Sequence, residues 1–202
     1  MNRLQTALLV FFGFSGALYA QAPLKDLATE IDAKRIALES ATGNGASSGN
    51  AVEGYLVNQN SEEVHIDISL LRPLFMRNRG LGQNMVATRV LLAGGRYLSE
   101  DKRSFISLKP KERTPVEFVA YCVDFEKDNP TRTDSFSLET SPASLDHVMK
   151  AIIDYSRQNP LKEITAAAQA AIWLADGISI EKIRTKFNVS PSDEILARSF
   201  TK

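Results

Sequence analysis

The chain lacks a second cysteine. Cys122 is the only one in 202 residues, so no internal disulfide can form. It lacks net charge, because 24 acidic residues balance 24 basic ones. No global field therefore draws it to nucleic acid or to an anionic membrane. Past the N-terminus no apolar run approaches ~18 residues, so no later segment has the length of a spanning helix. Histidine is scarce, with His65 and His147 alone, which leaves little room for an imidazole-rich metal centre. Among His65, Asp67 and the carboxylates Asp124, Glu126, Asp128 and Asp134 no full metal-ligand spacing stands out, so no metal and no cofactor is expected. No internal repeat marks a solenoid or propeller.

The N-terminus does carry a pattern. Asn2-Arg3 precedes the apolar stretch from Leu8 to Phe14, and Ala17-Leu18-Tyr19-Ala20 ends on a small residue. This reads as a signal peptide over residues 1–20, hence a secreted or periplasmic protein with no integral membrane segment in the mature chain. An exported protein with an odd thiol must bury it, share it or use it.

Residues 21–50 read as an N-terminal arm, a first strand and a Gly/Ser/Asn-rich loop. Residues 51–140 have β texture: Val64, Ile66 and Ile68 alternate with His65 and Asp67, and 116–123 is the most apolar run. Pro73 predicts an edge or a turn. From 141 to 202 the period changes to helical. Leu145, Val148, Met149 and Ile152 form a stripe, with Ser141 or Ser144 expected as its cap, and an Ala-rich helix over 161–176 ends at Gly177. The expected fold is mainly β with α, an Ig-like antiparallel β-sandwich followed by a small C-terminal helical lobe.

Two short runs carry chemistry. Cys122 lies in Ala120-Tyr121-Cys122-Val123, and Gln169 lies in Ala168-Gln169-Ala170-Ala171-Ile172-Trp173. A cysteine on a rigid strand and a glutamine on an adjacent helix are what an internal thioester requires: sulfur attacks the carboxamide carbon and ammonia leaves. Such a bond must be kept dry. Both motifs resemble those of bacterial surface thioester domains, in which an aromatic residue or Leu precedes Cys and an apolar-Gln-x-x-apolar-aromatic run follows later. The interval between them is shorter here than is usual in that family. The resemblance implies Cys122 and Gln169 as the thioester pair, Tyr121 and Trp173 as shields, and covalent attachment to amine or hydroxyl groups of a surface protein or glycan, without enzymatic turnover.

Other readings stay open. Cys122 in an apolar strand also fits a small buried hydrophobe, with Gln169 solvated on a polar helix face and the protein a non-covalent binding or structural envelope module. A Cys-His hydrolase would need His65 or His147 beside the thiol. Arg72, Arg77, Arg79 and Arg89 concentrate positive charge that could bind an anion. The segment 180–197 resembles a helix-turn-helix, but Ser192-Asp193-Glu194 at the start of its second helix would repel phosphate, and no nucleic-acid partner is expected.

Overall fold

The computed structural model describes residues 23–94 and 105–202. The expected signal peptide lies outside the described residues. A short helix, α1 (Leu27–Asp32), is followed by β1 (Ile36–Gly43), β2 (Ser48–Asn58), β3 (Val64–Asp67), β4 (Ser69–Asn78), β5 (Met85–Leu92), β6 (Phe105–Leu108), β7 (Arg113–Cys122) and β8 (Phe136–Glu139). Then come α2 (Ala143–Gln158), α3 (Thr165–Ala175), α4 (Ile180–Lys186) and α5 (Pro191–Phe200). No helix among the described residues is long and apolar enough to cross a membrane.

The fold is mainly β with helices gathered at the C-terminal end, as expected. Its finer architecture differs from the expectation. Six strands form one antiparallel sheet in the order β1-β2-β7-β5-β4-β8, while β3 and β6 form a separate pair. A bridge between Thr42 and Ser135 joins the two ends of the large sheet, which is therefore nearly closed on itself. An Ig-like division into two facing sheets is not confirmed. Register shifts in β1, β2, β4 and β5 bend the strands, as closing a sheet demands.

The 116–123 run is the middle of this sheet: β7 pairs with β2 on one side and β5 on the other. Its last five residues, Phe118 to Cys122, are all buried. A strand covered on both faces shows a continuous apolar run rather than alternation. Pro73 sits inside β4, not at its end. The proline falls within the register shift between Ser69 and Leu74, where no ladder hydrogen bond is demanded of it.

The residues 23–50 are not a detached arm. Leu27 and Ala28 of α1 are fully buried, and β1 is an end strand of the sheet. Asp26 caps α1 by accepting from the Thr29 N–H at 2.9 Å. The Gly/Ser/Asn-rich stretch is the hairpin between β1 and β2, with Gly45 at φ 98° and Gly49 at φ 77° taking left-handed turns that only glycine adopts easily.

Among the helices, α2 buries the expected stripe of Leu145, Val148, Met149 and Ile152. Its cap differs: Pro142 occupies the N-cap position and neither Ser141 nor Ser144 caps it by a side-chain hydrogen bond. α3 begins four residues later than the sequence suggests, at Thr165, whose N–H donates to the Glu163 carboxylate at 2.7 Å. Gly177, at φ 83°, ends it as expected. α5 opens with a reciprocal Ser190–Asp193 capping box, so the acidic start that repels phosphate serves the helix itself.

Gly43 marks a close approach between the first hairpin and the 124–135 loop. A Cβ there would lie 2.7 Å from Pro130 backbone and ring atoms. Gly43→Ala is expected to destabilise the fold by roughly 1–3 kcal/mol, the usual cost of overpacking. A urea midpoint unchanged from wild type would contradict this packing.

Candidate functional site

Cys122 is the last residue of β7 and Gln169 lies in the first half of α3, 47 positions later. The fold brings them into direct contact. The Cys122 N–H donates to Gln169 Oε1 at 2.9 Å, and Gln169 Nε2 donates to the Cys122 carbonyl at 2.8 Å. In an extended strand the N–H and C=O of one residue point the same way, so a carboxamide can satisfy both, as a peptide unit of a neighbouring strand would. β2 begins at Ser48, opposite Tyr121, and the Cys122 N–H also reaches the Ser47 carbonyl at 3.0 Å. The Cys122 N–H is thus shared between Ser47 and Gln169, and among the described residues the Gln169 amide alone supplies the donor for the Cys122 carbonyl.

Gln169 is fully buried, as are Ala167, Ala168, Ala170, Ala171 and Ile172 around it. The expectation of a solvated polar face for Gln169 is therefore corrected. α3 is apolar nearly all round because it is the central helix of the lobe, and small side chains let it sit close to the sheet. Gly49 of β2 meets it directly: a Cβ there would lie 3.9 Å from the Thr165 methyl.

The Cys122 side chain is also fully buried, and its thiol donates to the Met85 sulfur of β5 at 3.4 Å. Burial pushes the thiol pKa up from the ordinary 9.0 to about 12, with Lys186 pulling weakly the other way and Asp124 adding to the rise. The free thiol is therefore protonated at any physiological pH. Neither histidine takes part in these contacts. His65 is on the small sheet, hydrogen-bonded to Ser107 at 3.0 Å and tilted against Phe105, and His147 is exposed on α2.

Both expected shields are buried. Tyr121 is 2% exposed and Trp173 1%. Trp173 stands one helical turn beyond Gln169, and two rings that the sequence reading missed close around it. Phe125 packs edge-on to the indole at 5.0 Å and Phe187 at 6.0 Å. Lys182 and Lys186 of α4 lie over the Phe125 ring, each 5.3 Å from its centre. Lys186 also donates to the Phe125 and Lys127 carbonyls at 2.5 and 2.9 Å. The turn after Cys122 is thereby pinned to α4. Phe125 follows Cys122 by three residues, which a sequence reader could have noted, but no signal tied Phe187 or the lysines to this place. The indole N–H of Trp173 has no hydrogen-bond partner among the described residues.

The other candidates disperse. Arg72 pairs with Asp32 beside α1, Arg79 lines the gap between β1 and β8, and Arg89 faces Tyr121 and the α2–α3 connection, while Arg77 is exposed on β4. The four arginines do not share one surface. Asp124 accepts from the Asn84 N–H, Glu126 pairs with Lys182, and Asp134 is held by Thr131, so these carboxylates face different partners. Among the described residues no group of three or more His, Cys, Asp or Glu side chains is placed to hold a metal.

Compared with protein-family models, with curated proteins and with solved structures, the chain matches none.

Two measurements test this geometry. Gln169→Ala strands the Cys122 carbonyl without its buried donor and is expected to cost roughly 1–3 kcal/mol in denaturant unfolding; an unchanged stability would mean that the clasp contributes nothing. In that variant the thiol is necessarily free. Its ionisation is held up to about 12 in the folded state against 9.0 when exposed, so the unfolded chain gives up its proton first. Its contribution to stability is complete below pH 9.0 and is lost as pH rises toward about 12. Gln169→Ala should therefore lose stability across that window relative to Gln169→Ala/Cys122→Ala, while parallel pH profiles would mean that the thiol is solvated.

Proposed function

We propose that the protein is an exported module that attaches covalently to amine or hydroxyl groups of a surface ligand through a Cys122–Gln169 thioester. The observation that supports this reading is the reciprocal pair of hydrogen bonds between Gln169 and the Cys122 backbone.

The bond-forming step balances without a cofactor. Cys122 Sγ attacks Gln169 Cδ, the C–N bond breaks, and the thiol proton leaves with the departing ammonia. Attack places negative charge on Oε1, the atom that accepts the Cys122 N–H at 2.9 Å. That N–H is thus positioned to stabilise the oxyanion as it develops. It remains on the acyl oxygen afterwards and polarises the thioester for the next attack. An outside amine or hydroxyl then adds to Cδ, the C–S bond breaks, and sulfur recovers a proton from the nucleophile. The bond is consumed once per molecule, so the process is attachment rather than turnover.

A thiol held to about 12 is a weak nucleophile in solution terms. The two hydrogen bonds hold the Gln169 carboxamide against the Cys122 backbone, and the reading requires that Sγ turn from Met85 onto Cδ, where proximity of well-oriented groups is worth roughly 7–11 kcal/mol. The complete burial of Cys122 and Gln169, beside Met85 and the Trp173 cluster, supports the lifetime of the product by excluding water. Export directed by residues 1–20 would place the module among such ligands.

A second reading is favoured by the same contact. The Gln169 carboxamide can be a ladder-extending clasp and nothing more, with Cys122 an inert hydrophobe in a non-covalent envelope protein.

Intact mass separates them. The mature wild type is expected to weigh one ammonia less than its sequence, Cys122→Ala and Gln169→Ala to show no such deficit, and methylamine to restore the mass with a tag on Gln169. A wild type at full mass, with a thiol that labels once unfolded, would discard the covalent reading in favour of the clasp.

A further inference from the structure

We propose that the gap between β1 and β8 is a strand-addition site for an extended acidic peptide whose alternate side chains are apolar. This inference does not depend on the covalent reading.

Among the described residues the large sheet closes at one end, through the Thr42–Ser135 bridge and the Gly45 N–H to Pro130 C=O bond at 2.8 Å. Beyond it β1 and β8 are both end strands, and a groove of about 450 Å³ opens between them. The register of each strand with its inner neighbour settles which backbone groups face the groove. Arg35 exchanges with Gln59 through the Gln59 N–H to Arg35 C=O bond, which makes 35, 37 and 39 the residues bonded to β2. Arg79 N–H likewise donates to Ser135 C=O, which makes 135, 137 and 139 the residues bonded to β4. The N–H and C=O groups of Ile36 and Leu38 on one side, and of Phe136 and Leu138 on the other, therefore point into the gap. Among the described residues none of these four has a backbone partner across it.

Unpaired strand edges are templates for another strand, and proteins that do not use them cover or charge them. Here the side chains of the same four residues are apolar, and all four line the groove. Its rim carries Lys34 and Arg79, neither of which has a side-chain hydrogen bond or ion pair among the described residues. A guest strand would find backbone donors and acceptors, apolar contact at every second position, and cations for its carboxylates. These are the components of β-augmentation, in which main-chain bonds give affinity and alternate side chains give selectivity. The charge of the rim selects an acidic peptide over a second copy of this chain, because facing copies would oppose Lys34 and Arg79 to themselves.

The test uses the full mature chain carrying Cys122→Ala, so that no covalent chemistry contributes. The probe is a blocked peptide of sequence Glu-Val-Thr-Val-Thr-Val-Glu. Saturable binding is expected, with slowed amide exchange at Ile36, Leu38, Phe136 and Leu138. Lys34→Glu/Arg79→Glu should weaken binding roughly ten-fold at low salt. A peptide with its central Val replaced by Pro should not bind, since proline removes a ladder donor. Equal binding of the Pro peptide, no protection of those four amides, or protection that depends on protein concentration without peptide, as self-association would give, each overturns the proposal.

Discussion

The clasp between one side-chain amide and one backbone residue joins the two halves of this protein. β7 is the central strand of the sheet and α3 the central helix of the lobe, and Gln169 ties the end of one to the flank of the other. Much of the surrounding sequence follows from that contact. A buried carboxamide must have its donors and acceptors satisfied, and Cys122 offers both from one residue, its carbonyl to Nε2 and its N–H shared between Oε1 and the Ser47 carbonyl. α3 must approach the sheet closely enough for the Gln169 amide to reach the β7 backbone, which its alanines allow. Gly49, in its left-handed turn, opens the entry to β2 beside Thr165.

The placement of the aromatic residues follows the same constraint. Trp173 lies one turn from Gln169 on the same helical face, so the rings packed on the indole stand beside the clasp. Phe125 and Phe187 come from the turn after β7 and the end of α4, and Lys186 fixes one to the other through two carbonyls. The result is an aromatic cluster on Trp173 next to a fully buried amide and cysteine. Lys182 and Lys186 sit outside the Phe125 ring, where their charge is solvated on one side and faces the π cloud on the other.

Local pattern made most elements legible. The alternation at Val64–Ile68, the apolar run of β7 and the 3-4 stripe of α2 each report a period that the backbone then adopts. The closure of the sheet was not legible. It depends on register shifts in four strands, and a bulge leaves no compositional trace unless a residue such as Pro73 marks it. The N-cap of α2 was misread because serine at 141 or 144 has the right chemistry, while the chain turns at Pro142 instead. At the candidate site both motif residues were visible, but the burial of Gln169 was not. Its neighbours are small and apolar on every side, so the helix carries no polar face to betray its orientation, and the amide's partner is distant in sequence.

Burial gives the two readings of the site opposite demands. For an inert cysteine, a thiol held to about 12 and set against Met85 is the whole account, and the amide clasp is only good hydrogen bonding. For a thioester, the same burial slows the step that forms the bond and protects the bond afterwards. The two effects need not cancel. Formation happens once, on the timescale of maturation, and needs only that sulfur and carbon be held together with a donor on the oxygen. Survival is a continuing requirement, and it scales with how completely water is kept away. A fold selected for survival would accept a poor nucleophile and bury it completely, and it would aim a backbone N–H at the amide oxygen where charge must appear. For packing alone, Gln169 is explained by the buried Cys122 carbonyl that its Nε2 satisfies; the thioester reading gives a use as well to Oε1, which is set on an N–H that Ser47 already serves.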